Sequence, residues 1–217
     1  MTLNKSLNYL RLLSVNNNRE WYHQNKDIFV EAKAEFETFV SLIIGEIRSF
    51  DSSINHIEPK DCIFRIYKDV RFSKDKTPYK INFGAVVANK GKKSPFAGYY
   101  MHLEPEASFL GGGIYMPKSE NLRSIRQGII DNASEYKKIL NNKKFIDTFG
   151  GVYGEKLKSA PRGFSKDLAD VELIRNKHYA VIHNVDDDFW LNKNLVNNIV
   201  DIFKTQKVFN DFLNSLI

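Results

Sequence analysis

Four consecutive segments decide the fold: CIFRIYKDVRF (residues 62–72), INFGAVVA (81–88), GYYMHLE (98–104) and SFLGGGIY (108–115). Apolar and polar side chains alternate along them, and a period of two is typical of half-buried β-strands. The basic stretch NKGKKSP (89–95) between two of these segments predicts an exposed loop, because glycine and proline interrupt a strand and lysines need water. Four strands in succession predict an antiparallel sheet.

Helical periodicity flanks the strands on both sides. Apolar residues recur at three- and four-residue spacing, which predicts helices, in residues 3–15, 19–50, 119–132, 134–144 and 194–217. One more strand is predicted at 178–185. The order predicts an α+β protein with N-terminal helices, a mainly antiparallel sheet and C-terminal helices. No repeat, linker or low-complexity run interrupts the chain, so residues 1–217 are predicted to form a single domain.

Composition limits the class of protein and its partners. With 217 residues, 42% of them hydrophobic, the chain can bury a proper core. The net charge of +6 favours acidic partners, although a solvated lysine surface also explains 32 basic against 26 acidic residues. Cys62 is the single cysteine, which excludes an intramolecular disulfide. Because a secretory signal and an 18-residue apolar run are also missing, we expect a cytoplasmic protein without a transmembrane segment.

Residues 65–79 carry the strongest functional signal, since five cations, two carboxylates and three aromatic rings share one short segment. Strand alternation predicts an apolar face with Cys62, Phe64, Ile66 and Val70, and a polar face with Arg65, Tyr67, Asp69 and Arg71. Arginine presents a rigid donor fork that matches phosphate or carboxylate. The segment therefore predicts a basic, aromatic cleft for a phosphate-bearing or other anionic ligand, with the ligand-binding candidates Arg65, Tyr67, Arg71, Lys76 and Tyr79.

The same charges also fit a sheet face that is paired internally. In this interpretation Asp69 and Asp75 neutralise the arginines, and exposed ion pairs of this kind contribute little. The excess of three cations favours an anionic partner instead. Arg65 and Arg71 lie six residues apart, so both reach one anion only if the strand bends or the ligand is long.

Three titratable side chains are the catalytic candidates: Asp69, His102 and Glu104. Asp69 lies between cations and stays ionised, which suits it to orient an arginine rather than to act as a base. His102 and Glu104 share a strand face, where a hydrogen-bonded pair fits better than a metal site, because two ligands are too few. The sequence identifies no metal site and no cofactor. Gly111-Gly112-Gly113 fits a bulge better than a phosphate loop.

The segment resembles the signature of a mainly bacterial family, domain of unknown function 2461, whose pattern is R-x-x-R-D-x-R-F-x-x-D/N-K-x-x-Y. The matching positions are Arg65, Asp69, Arg71, Phe72, Asp75, Lys76 and Tyr79. Further blocks resemble the family at NNREW (17–21), GYYMHLEP (98–105), FLGGG (109–113) and PRGF (161–164), so the resemblance covers nearly the whole chain.

The chain departs from this family pattern at two places. Lys68 replaces the second arginine of the signature, which keeps the charge but loses the planar fork. Asp167-Leu168-Ala169 stands where such proteins usually read Asp-His-Pro. The resemblance implies that these blocks are important and implies no established activity.

Three functions stay open at the level of sequence. A binding module would take a phosphorylated small molecule or nucleic acid. An enzyme would act on an anionic substrate, with arginines as clamps and Asp69, His102 or Glu104 moving the proton. A structural or protein-interaction domain would pair its charges internally. For either of the first two, we expect Arg65, Tyr67 and Arg71 to share one cleft with Lys76, Tyr79 or His102. Two roles stay open for the start of the second helix, Arg19 to Trp21. It completes the anion site if the fold brings it over the Arg65 face, and otherwise Trp21 anchors the core.

Overall fold

The computed structural model describes residues 1–217 and has the predicted α+β architecture. The helices are α1 (Asn4–Val15), α2 (Arg19–Gln24), α3 (Lys26–Phe50), α4 (Pro59–Cys62), α5 (Ser119–Asp131), α6 (Ala133–Leu140), α7 (Lys143–Phe149), α8 (Asp187–Leu191) and α9 (Leu195–Asn214). The strands are β1 (Phe83–Val87), β2 (Gly98–Leu103), β3 (Phe109–Ile114) and β4 (Tyr179–Asn184). No helix combines the length and the apolar composition needed to cross a bilayer.

The four strands form one antiparallel sheet in the order β1-β2-β3-β4. In the register Ala85 lies opposite Met101, which lies opposite Leu110, and all three side chains are fully buried against α3 and α9. Successive residues of a strand point to opposite faces. The other face, which we call the open sheet face, therefore carries the half-buried side chains Val86, Tyr100, His102, Phe109 and Ile182.

A second core cluster lies at the β4 end of the sheet. It joins α5, α6, α7 and β4 to the C-terminal half of α9 through buried rings that include Tyr136, Phe145, Tyr179 and Phe209. Both clusters share the sheet and α9. The helices after β3 therefore pack around the sheet.

Residues 62–72 differ from the prediction, because they do not form a regular strand. Pro59 begins a helical turn, and the Asp61 carboxylate caps it by accepting from the Glu58 backbone N–H at 3.0 Å. Beyond α4 only single bridges remain, Ile63 with Ala85 and Tyr67 with Tyr79. Residues 66–68 instead fold back on residues 78–80, and we call the segment from 66 to 80 the hairpin.

The predicted alternation holds for most of this segment. Cys62 and Ile66 are buried, whereas the charged positions of the polar face are exposed. Phe64 is the exception. Its ring lies 6.3 Å from that of Tyr100 on the open sheet face, and Ile63 packs against the core in its place.

Two predicted helices are divided in the structure. The range 19–50 forms α2 and α3, which meet at Asn25, while the Asn18 side chain caps α2 by accepting from the Trp21 N–H at 2.9 Å. The range 134–144 forms α6 and the start of α7, where Asn142 caps the Phe145 N–H at 3.2 Å. Asparagine at both joints explains the division, since it favours caps and turns over helix interiors.

The Tyr99 hydroxyl ties β2 to the end of α3 by donating to the buried Asp51 carboxylate at 2.7 Å. We expect Tyr99→Phe to lower the free energy of unfolding by about 1.5–3 kcal/mol at neutral pH, the usual range for a hydrogen bond to a charged group. Tyr136→Phe is the matched control, because the Tyr136 hydroxyl is buried without a partner and its removal should cost little.

This Tyr99 effect should depend on pH. Burial opposes ionisation of Asp51, but the hydrogen bonds from Ser53 and Tyr99 outweigh it and lower the pKa of the carboxyl. A folded pKa below the unfolded value gives stability that is present at neutral pH and lost as the pH falls below about 4. Urea unfolding should therefore show a smaller gap between wild type and Tyr99→Phe in acid. A gap of the same size at both pH values would contradict the role given to Asp51.

Candidate functional site

A hollow of about 1020 Å³ lies over the open sheet face. Its floor is formed by side chains from the sheet, with His102 and Tyr100 near the middle. Its walls come from residues 92–96, from residues 114–118 and from Tyr153. Cavities of this size, mostly apolar with a few convergent polar groups, are typical of small-molecule sites.

Three side chains in the floor form a hydrogen-bonded chain, which we call the relay. The Tyr100 hydroxyl lies 2.9 Å from His102 Nδ1, and His102 Nε2 lies 2.7 Å from a Glu104 carboxylate oxygen. These contacts fit a histidine that carries its proton on Nε2 and accepts from tyrosine at Nδ1. Burial, and then the Glu104 charge, raise the pKa of Tyr100 to about 12. Tyr100 therefore stays protonated at neutral pH and can donate.

The relay has the parts of an acid–base system. A histidine oriented by a carboxylate on one nitrogen and in contact with a hydroxyl on the other can take up and return a proton. The Asn82 side-chain amide makes a longer contact to His102 Nδ1, the nitrogen that faces Tyr100, at 3.5 Å. The His102 ring is held flat against Phe109, with 4.5 Å between ring centroids. No group of three or more His, Cys, Asp or Glu side chains is arranged to hold a metal ion.

The charged side chains around the hollow are mostly lysines. They are Lys92, Lys93 and Lys118, with Glu120 as the one carboxylate among the lining residues. Lys92 donates to the backbone carbonyls of Lys60 and Ile63 at 2.8 and 3.0 Å, so its ammonium holds the loop in place. Lys93 and Lys118 are exposed and lie within ion-pairing distance of no carboxylate. Two ammonium groups are thus available to a bound anion.

Aromatic and apolar side chains complete the walls. Phe64 lies against Tyr100 at one side, while Tyr115, Met116 and Tyr153 are exposed at another. His178 supports this second wall from behind. Its ring lies 4.6 Å from that of Tyr115, and its Nδ1 accepts from the Met116 backbone N–H at 3.2 Å. Exposed rings held in this way can stack on a flat ligand.

The charges predicted to form the site are partly paired within the hairpin. The Arg71 guanidinium donates to both oxygens of Asp69, at 2.9 and 2.6 Å, and lowers the pKa of that carboxyl. Lys68 donates to Asp75 at 2.7 Å and, with Thr77, holds the pKa of Asp75 well below its usual range. The remaining cations of the segment, Arg65, Lys74 and Lys76, have no carboxylate within ion-pairing distance.

The two predicted tyrosines are cross-strand partners in the hairpin, with ring centroids 5.5 Å apart, and they differ in exposure. Tyr67 is 50% exposed, and its hydroxyl lies 3.2 Å from that of Tyr22. Tyr79 is 3% exposed and stacks on Tyr22, with ring centroids 4.3 Å apart. Asn17 holds the Tyr79 backbone on both sides, donating to its carbonyl at 2.9 Å and accepting from its N–H at 3.1 Å.

The NNREW block therefore supports the hairpin from beneath. Trp21 is half-buried and packs against the core, with its ring centroid 6.1 Å from that of Tyr9. This placement agrees with the alternative in which Trp21 anchors the core. Arg19, at the start of the same helix, is exposed.

Among the predicted site residues, His102 lines the hollow, and Glu104 is hydrogen-bonded to His102. Asp69 and the five ligand-binding candidates do not line the hollow. Of these candidates, Arg65 is the closest along the chain to a lining residue, since it follows Phe64 directly. The Lys80 ammonium lies 5.5 Å from the Phe64 ring centroid. Burial, and then the Arg65 charge, lower the pKa of Lys80.

Several residues of the hollow were not predicted from the sequence. Tyr100 could have been found, because it precedes His102 and Glu104 at the same two-residue spacing and so shares their face. Lys93 lies in the loop that was predicted to be basic and exposed. For Lys118, Tyr115 and Tyr153 the sequence carries no such signal, because their position depends on how distant segments pack against β3 and β4.

Neither a curated protein nor a solved structure matches the chain. A family model described as "Conserved hypothetical protein (DUF2461)" matches residues 5–212. The match includes the hairpin, the relay and all the strands. The chain therefore belongs to the family of conserved hypothetical proteins called domain of unknown function 2461.

Proposed function

We propose that the protein binds an anionic ligand that carries an aromatic or other flat apolar group, and that the ligand lies in the hollow over the open sheet face. One observation carries the proposal: two lysines without a carboxylate partner, Lys93 and Lys118, border a cavity whose other walls are largely aromatic. A phosphate-bearing ligand of this class would place its anion at the lysines and its ring against the walls.

The charges and the shape of the hollow support each part of this ligand. A charge-assisted hydrogen bond to phosphate is about twice as strong as a neutral one. The lining rings, among them Phe64, Tyr115 and Tyr153, offer flat apolar surface to the ring of the ligand. The volume of about 1020 Å³ is sufficient for a molecule as large as a nucleotide.

The test uses three probes that separate charge from ring: adenosine monophosphate, adenosine and inorganic phosphate. We expect adenosine monophosphate to bind more tightly than either part alone in isothermal titration calorimetry. Replacing Lys93 and Lys118 together with alanine should weaken it about tenfold, because ion pairs of exposed lysines are worth up to about 1 kcal/mol each and about 1.4 kcal/mol corresponds to a factor of ten.

The matched control is the double variant Lys26→Ala with Lys193→Ala. It removes two exposed lysines that do not line the hollow and changes the net charge equally. If the control weakens binding equally, the loss reflects the lower net charge of the protein and not a contact at Lys93 or Lys118. If none of the probes binds the wild type, the choice of ligand class is wrong.

A second function, general acid–base catalysis on such a ligand, is favoured by the relay. Because Tyr100 and Glu104 engage both ring nitrogens, His102 would exchange a proton with the ligand through the Tyr100 hydroxyl, and Glu104 would stabilise the protonated imidazole. The lysines would hold the anionic group in place. This proposal adds a reaction to the same site and does not alter the binding prediction.

A further inference from the structure

The tip of the hairpin, residues 69–77, presents an aromatic ring to solvent. Phe72 is 95% exposed, more than any other large hydrophobic side chain of the protein. Its neighbours Arg71, Ser73 and Lys74 are exposed as well. The tip therefore presents a flat apolar ring next to exposed cations.

The tip is fixed by hydrogen bonds within the hairpin. Lys68 binds both Asp75 and Thr77 at 2.7 Å, and the Lys76 ammonium donates to the Val70 carbonyl at 3.0 Å. The Thr77 backbone N–H donates to Asp75 at 2.9 Å. Phe72 is therefore presented by an ordered turn.

The charge that the hairpin shows to solvent is positive. Residues 65–80 hold six lysines and arginines against two aspartates, a net charge of +4, whereas the whole chain carries +6. Both aspartates are bound within the hairpin, by Arg71 and by Lys68. Lys74, Lys76 and Arg65 are left facing solvent without a carboxylate.

We propose that the tip is a contact site for single-stranded nucleic acid, in which a base stacks on Phe72 and the flanking phosphates bind Lys74 and Lys76. An aromatic ring next to unpaired cations is the arrangement that such strands require, because every base has a flat face and every linkage carries a negative charge. The Arg71 guanidinium lies 6.0 Å from the Phe72 ring centroid, and the ring, which is 95% exposed, stays open to a base.

The same observations favour a nucleic acid over a lipid surface. Insertion into a bilayer would bring the Arg71–Asp69 ion pair beside Phe72 out of water, which is costly. Membrane binding also scales with the apolar area that is buried, and the tip offers a single ring. A base on a flexible strand needs only that ring. This inference does not depend on a ligand in the hollow.

The test is fluorescence anisotropy of a labelled single-stranded oligothymidylate at two salt concentrations. We expect the wild type to bind, with affinity that falls as salt rises, and Phe72→Ala to weaken binding about tenfold or more, the usual effect of losing one stacked base. Phe72→Trp should restore the affinity. Lys74→Ala should flatten the salt dependence, since each phosphate contact contributes to its slope and Lys74 takes no part in the hydrogen bonds that order the tip.

Two controls separate this site from the hollow. Lys26→Ala with Lys193→Ala, and Lys93→Ala with Lys118→Ala, should both keep the wild-type oligonucleotide affinity at matched salt. Because Phe72 is solvent-exposed, its substitution should leave the melting temperature unchanged. The proposal is overturned if wild type and Phe72→Ala bind equally or not at all. Binding to phosphatidylserine vesicles that requires Phe72, without oligonucleotide binding, would also overturn it.

Discussion

Replacing Gly113 with alanine is expected to lower the free energy of unfolding by about 3 kcal/mol or more, from backbone strain and overpacking together. Gly113 lies in β3 between Gly98 of β2 and Ala180 of β4, with a φ of +95° that other residues rarely adopt. A β-carbon there would overlap the Tyr179 carbonyl oxygen and would lie 3.0 Å from the Ala180 α-carbon. β3 and β4 would have to separate to admit it.

Gly45→Ala is the matched control, because the same change should have the opposite sign. Gly45 lies on the exposed side of α3, and no atom lies within 4 Å of the position that a β-carbon would take there. Alanine at this position should stabilise the protein by about 0.5–1 kcal/mol, since it costs less backbone entropy in a helix. Urea unfolding of the three proteins measures both effects. A Gly113→Ala protein as stable as wild type would contradict the described path of β3.

His102→Ala is expected to reduce turnover at least about 100-fold if the hollow is a catalytic site, because positioned acid–base groups contribute roughly 10²–10⁴ in rate. Glu104→Gln should reduce it less, since the amide keeps a hydrogen bond to His102 but loses the charge that stabilises the imidazolium. The assay is a panel of phosphoesters and other anionic substrates, with and without divalent metal ions.

Asp69→Asn provides the comparison between the two surfaces. Its carboxylate is bound by Arg71 on the hairpin and does not line the hollow, so we expect turnover to be unchanged. Turnover that falls with Asp69→Asn but not with His102→Ala would move the chemistry to the hairpin. Absence of turnover on every substrate would remove the catalytic proposal and leave ligand binding to be judged by calorimetry.

The order of secondary structure was predictable because most elements carry their own periodicity. β2 alternates Tyr99, Met101 and Leu103 toward the core with Tyr100 and His102 toward the open sheet face, which is the pattern used to predict it. Residues 62–72 have the same pattern but not the same structure. There the helical turn at Pro59 and the folding back of the hairpin determine the backbone conformation. The periodicity of apolar residues predicts neither feature.

The charges of residues 65–79 could be counted from the sequence, but their pairing could not. The count predicts an excess of three cations. In the structure the three cations without a carboxylate partner are Arg65, Lys74 and Lys76. Which cation each aspartate would bind depended on the hairpin turn. The relay was half predictable, through His102 and Glu104, whereas the walls of the hollow come from segments that meet only in the folded protein.

A crystal structure of the protein with adenosine monophosphate tests the proposed ligand site most directly. We expect the ligand in the hollow over the open sheet face, with the phosphate at Lys93 or Lys118 and the adenine ring against an aromatic wall. We also expect the ligand to lie within reach of His102. Adenosine monophosphate bound at the hairpin, or elsewhere on the surface with the hollow empty, would contradict the proposed site.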